Sequence, residues 1–118
     1  MSSPDQTTAE EAFIIAFNAI QKKAHQNAVE KGFWDKPRNE GEAIALMHSE
    51  LSEALEASRH GNPPDDKVPE FSGIEAELAD VIVRIMDLAG GHNYRVAEAL
   101  VAKMKFNATR ERLHGKAY

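Results

Sequence analysis

Two segments carry acids at matched spacing: Glu50 and Glu53 in HSELSEAL, and Glu77 and Asp80 in EAELADVIVRI. On a helix, residues three apart share a face, so each pair offers two carboxylates to one neighbour. With Glu50 as origin, the apolar positions Ala43, Ile44, Met47, Leu51, Ala54 and Leu55 project to between about 20° and 140°. Glu50 therefore sits at the rim of a buried stripe, and Glu53 lies about 60° outside it. With Glu77 as origin, Val81, Ile74, Ile85 and Leu78 occupy about 40° to 100°, Arg84 about −20° and Asp80 about −60°. Two such edges facing each other make a narrow groove of four carboxylates. Like charges there repel and need a positive counterpart. A hard divalent cation with oxygen ligands meets that need, and Mg²⁺ characteristically shares its shell with substrate phosphate and water. Metal-assisted chemistry on a phosphate-bearing ligand is therefore expected. The competing expectation is two solvated helix edges, with Arg84 pairing to Glu77, Asp80 or Asp87 as a packing salt bridge.

A second constellation has the opposite charge. Lys103, Asn107 and Arg110 are spaced four and three apart and span about 60° of a helix. A lysine, an amide and a guanidinium on one face can neutralise and orient a polyphosphate; alternatively they form a polar outer face. Phe33 and Trp34, the only tryptophan, follow the first helical segment in a turn. An exposed aromatic there can stack on a nucleobase or plug the end of a helical bundle. His25 and Asn27, late in that segment, could read base edges, although His25 also suits an ordinary surface or interface position.

These residues need elements to hold them. The 118-residue chain is 42% hydrophobic and 28% charged, which fits one ordinary globular domain spanning residues 1–118. Its five prolines stand at positions 4, 37, 63, 64 and 69, leaving long stretches rich in Ala, Glu, Leu, Met and Lys, all good helix formers. Thr8 with Glu11, Asn39 with Glu42 and Ser72 with Glu75 are spaced as helix N-caps and their partners. Gly32 and Gly61 are placed to end helices, and Gly90–Gly91 is expected to break a third. The spacing predicts an all-α, four-helix-bundle-like domain with helices near 8–30, 40–60, 73–89 and 93–113, after a frayed tail at 1–6. The third helix is apolar over so wide an arc that a homo-oligomer is expected.

Composition excludes several chemistries. There is no cysteine, so thiolate ligands, disulfides and cysteine nucleophiles are ruled out. The net charge of −5 argues against binding a nucleic-acid polymer through its backbone. No apolar stretch approaches a membrane span, and MSSPDQTTAEE does not read as a secretory signal, so a cytoplasmic location is expected.

The acid pairs E50-L-S-E53 and E77-L-A-D80, 23 residues apart, match the E-x-x-E … E-x-x-D pattern of the MazG-like nucleoside triphosphate pyrophosphohydrolases. K103-M-K-F-N107-A-T-R110, then H114-G-K, looks like the lysine–asparagine motif of that family. GFWDKPRNEGEAIALMHSELSEAL resembles its short single-domain members. The resemblance covers roughly residues 20–118. It implies an all-α enzyme that cleaves a (deoxy)nucleoside triphosphate between the α- and β-phosphates, giving monophosphate and pyrophosphate, in the manner of a nucleotide-pool house-cleaning hydrolase. It implies dependence on Mg²⁺, with Mn²⁺ as a possible substitute, and a homodimer or homotetramer with sites near subunit contacts. Carried over, Glu50, Glu53, Glu77 and Asp80 look like the metal set, Glu50 or Glu53 the general base, Lys103 a catalytic residue stabilising charge that develops on the phosphoryl oxygens, and Lys103, Asn107 and Arg110 the phosphate contacts. The end of the first helix, with His25 and Trp34, would border the base. Two alternatives stand: a related pyrophosphohydrolase acting on dUTP or phosphoribosyl-ATP, and a non-enzymatic helical interaction module.

Overall fold

The computed structural model describes residues 8–117; the expected tail at 1–6 lies outside them. The chain forms four α-helices: α1 (Ala9–Glu30), α2 (Glu40–Arg59), α3 (Gly73–His92) and α4 (Val96–Ala108), then a short 3₁₀ turn at Arg112–Gly115. The fold is all-α and bundle-like, with no β-ladder among the described residues. Helix starts follow the side chains that can satisfy their free N–H groups. Thr8 accepts a hydrogen bond from the Glu11 amide, and Asn39 from the Glu42 amide. Ser72 and Glu75 complete a reciprocal capping box at the start of α3. Gly32 and Gly61, just beyond the caps of α1 and α2, both take positive φ, where a side chain would be strained.

Two expected boundaries are corrected. Gly90–Gly91 does not break the third helix; α3 runs through both to His92, and Asn93 in the left-handed region ends it rather than opening the next. The glycines are needed for close packing. A methyl group at position 91 would stand 2.4 Å from the Trp34 ring, and one at position 90 would stand 2.8 Å from the His25 Cβ. Helix α4 starts at Val96 and stops at Ala108 instead of spanning 93–113. Leu113 and His114 take positive φ, which no continuing helix allows.

Helix α3 is the centre of the domain, packed on α2 along one side and α1 along another, while α4 leans mainly on α1. The α2–α3 seam is narrow because its facing residues are small. Ala43 and Ala54 are buried, and Ala57 approaches Gly73 so closely that a methyl at 73 would be 2.9 Å from it. Small side chains at this seam bring the acid-bearing edges of α2 and α3 together.

Candidate metal and phosphate cleft

Glu50, Glu53 and Glu77 converge across the α2–α3 seam. Each offers a carboxylate oxygen, and these oxygens lie within 4.8 Å of one another. Glu50 is nearly buried at 9% exposure. It accepts a hydrogen bond at 3.0 Å from Arg84 Nε, one helical turn beyond Asp80 on α3. One oxygen of Glu77 is buried with no hydrogen-bond partner. Burial, with added upward pushes from the neighbouring Glu50 and Glu53, raises the Glu77 carboxyl from 4.5 to about 7. Asp80 lines the same cleft but stands outside the tight trio. Burial and the Glu50 charge raise its carboxyl, and Arg84 and Lys67 draw it back. Three oxygen donors, one of them orphaned, suit a hard cation and offer a soft one nothing.

Arg84 therefore takes Glu50 as its partner, not Glu77, Asp80 or Asp87 as the helical projection allowed. Asp87 has another role. It is buried and accepts hydrogen bonds from Trp34 Nε1 at 2.8 Å and His25 Nδ1 at 3.0 Å, with Arg38 as its third donor. This hub ties the turn after α1 to the middle of the domain. The acid trio opens into a cleft of about 630 Å³ that reaches the end of α1. Asn27 and the exposed Phe33 line that far end, while Arg38 sits beside them with its guanidinium over both the Phe33 and Trp34 rings.

The residues expected at the base end divide between this hub and the cleft. Trp34 does not line the cleft: its N–H is bound by Asp87, its ring lies on Gly91, and the edge of His25 meets it at 4.9 Å between centroids. His25 is held by the same hub and does not line the cleft, although its partner Asp87 does, with Ala24, Asn27 and Ala28. Phe33 takes the position expected of Trp34. The turn offered two adjacent aromatics, and only packing against Gly91 decides which one is inside.

The α4 residues stand apart from this cleft within the single chain. Lys103, Asn107 and Arg110 do not line the cleft of their own chain. Lys103 and Arg110 instead lie about the Phe106 ring, at 6.0 and 5.8 Å from its centroid. The cations that do line the cleft are Lys31, Arg38, Lys67 and Arg84. Lys67 comes from the α2–α3 loop, where no periodicity marks a position. The one available signal was its place in a loop directly joining the two acid-bearing helices.

The fold and cleft thus define an all-α protein with a carboxylate-walled cleft between two helices. Comparison with protein-family models, with curated proteins and with solved structures gives no match.

Proposed function

We propose that this protein is a Mg²⁺-dependent pyrophosphohydrolase that cleaves a (deoxy)nucleoside triphosphate between its α- and β-phosphates. The observation that carries this reading is the trio Glu50, Glu53 and Glu77, with its carboxylate oxygens within 4.8 Å and a buried, unpartnered oxygen on Glu77. Three acids drawn together, one of them ionising reluctantly, cost stability unless a cation compensates. The resemblance to MazG-like enzymes in the motifs around Glu50–Glu53 and Glu77–Asp80 supports the same choice.

Glu50, Glu53, Glu77 and Asp80 would hold the ion. When bound, the metal (Mg²⁺, with Mn²⁺ a natural substitute) supplies Lewis acidity, polarising phosphate oxygens and offsetting charge on the departing pyrophosphate. A water attacks the α-phosphorus, the bond to the bridging oxygen breaks, and the water's proton passes to a carboxylate. Glu53 is the better acceptor: it is exposed in the cleft, whereas Glu50 is buried and already holds the Arg84 guanidinium. The base would lie toward Phe33 and Asn27, an open aromatic face beside an amide that can both donate and accept.

A homo-oligomer, most simply a dimer, is part of this proposal. The radius of gyration is 17.4 Å, against about 13 Å for a compact domain of roughly 100 residues. Among the described residues no large side chain is fully buried, and Leu51, Leu55, Leu78, Ile82 and Met104 remain exposed. A second copy covering this surface would supply the missing core, and the α4 cations would then be free to serve a neighbouring cleft.

A panel of nucleoside triphosphates with purified protein and Mg²⁺ tests the reading. Monophosphate and pyrophosphate are expected as products. Inorganic phosphate with a diphosphate would place the cut at another bond. Inertness toward the whole panel, with no effect of divalent metal on stability, would favour the interaction-module alternative.

A further inference from the structure

The loop between α2 and α3, residues 62–72, is braced at every stage. Asn62 Oδ1 accepts a hydrogen bond from the Ile74 amide at 2.9 Å, and Pro63 O one from the Gly73 amide at 2.8 Å. Asp65 and Phe71 join across it through Asp65 N and Phe71 O at 2.9 Å. At its tip, Asp65 Oδ2 accepts from the amides of Lys67 and Val68, at 2.9 and 3.0 Å. The Asp65 carboxylate is thereby committed to the loop's own backbone, fixing the chain direction at Lys67. Lys67 lines the cleft that holds Glu53, Glu77 and Asp80. Among the described residues, Arg38 and Arg84 are bound to carboxylates, whereas Lys31 and Lys67 enter no ion pair; Lys31 caps the end of α1, and only Lys67 comes from the loop that joins the two acid-bearing helices.

We propose that Lys67 is a substrate-binding residue that grips the phosphate tail of the nucleotide, with Asp65 as the positioning residue that aims it. This rests on the reading of the cleft as a phosphate-processing site. A cleft in which acids outnumber bases repels a polyphosphate, and a metal ion at one end does not neutralise the tail's outer oxygens. A lysine whose backbone is already fixed loses less freedom on binding an anion than one on a mobile segment. Its ammonium can donate up to three hydrogen bonds to phosphoryl oxygens. Asp66, the other exposed charge on the loop tip, is acidic and cannot take this role.

Calorimetric titration with inorganic pyrophosphate in Mg²⁺, and with Mg²⁺ alone, tests the assignment. Lys67→Met is expected to weaken pyrophosphate binding about tenfold, the loss typical of one charged hydrogen bond, while Mg²⁺ affinity stays within about twofold of wild type. Asp65→Ala is expected to show part of the same loss. Asp65→Asn, whose amide oxygen still accepts both N–H groups, should recover it. Equal pyrophosphate affinity in wild type and Lys67→Met, with Mg²⁺ still bound, overturns the role of Lys67 alone. Asp65→Asn as weak as Asp65→Ala overturns the positioning role. A wild-type chain that binds no Mg²⁺ overturns the phosphate-processing reading itself, and this inference with it.

Discussion

Arg84 Nε on α3 donates to Glu50 Oε1 on α2 at 3.0 Å, so the one nearly buried acid of the trio carries its own counter-charge. The pair clips the two acid-bearing helices together and frees Glu53 and Glu77 to face a cation. Removing one partner of such a pair leaves the other as an uncompensated charge. Arg84→Met is therefore expected to cost about 1–3 kcal/mol, moderated because the arginine is partly exposed. Thermal unfolding with and without Mg²⁺ checks this: the variant should melt lower, and Mg²⁺ should raise its Tm more than it raises that of wild type. An unchanged Tm would mean that the pair contributes nothing to the seam.

The raised Glu77 carboxyl fixes the sign of a pH dependence. Between pH 4.5 and about 7, the unfolded chain has lost this proton while the folded chain keeps it. Without metal, stability should therefore be highest below pH 4.5 as far as this group is concerned, and should fall as pH rises toward 7. Asp80, also raised, adds in the same direction. Mg²⁺ competes with that proton, so its stabilisation should be greater at pH 8 than at pH 6. Glu77→Gln should flatten the metal-free slope across this window and abolish most of the Mg²⁺ effect. Melting curves at four or five pH values, one set with chelator and one with Mg²⁺, check both effects.

Chelation should abolish pyrophosphate release, and readdition of Mg²⁺ or Mn²⁺ should restore it. Glu53→Gln is expected to lower kcat by at least about 100-fold, the lower range for loss of a general base, with little change in Tm because Glu53 is exposed. Wild-type turnover in this variant would remove Glu53 from the chemistry.

Trp34 and Phe33 should separate cleanly. Trp34→Ala deletes a ring packed on Gly91 and a hydrogen bond to buried Asp87, and is expected to cost about 3 kcal/mol of stability. Phe33→Ala, at an exposed ring, should leave Tm nearly unchanged and raise KM for the nucleotide several-fold with kcat preserved. The reverse pattern would return the base contact to Trp34.

Sedimentation should give at least twice the 13.0 kDa mass of the chain. Introducing a charge at an exposed apolar position of α3, as in Ile82→Glu, should shift the protein toward monomer and lower its stability. A monomeric wild type at micromolar concentration would leave the exposed leucines and isoleucines without a second copy to cover them.

The sequence by itself determined the helices and their edges. Thr8, Asn39 and Ser72 cap where their side-chain oxygens can reach free amides, and Gly32 and Gly61 close helices because only glycine enters positive φ without strain. The three-residue spacing of Glu50–Glu53 and Glu77–Asp80 placed each acid pair on one edge of its helix, a property of helical period alone. Tertiary structure decided everything that depends on distance between elements. It chose Glu50 as the partner of Arg84, gathered three acids closely and left Asp80 at their edge. It turned Trp34 inward and Phe33 outward, and used Gly90–Gly91 for close approach instead of a break. It also set Lys103, Asn107 and Arg110 away from the cleft and brought Lys67 into it. Periodicity specifies which face of a helix a residue occupies, but only packing across the seam, set here by Ala43, Ala54, Ala57 and Gly73, specifies what that face meets.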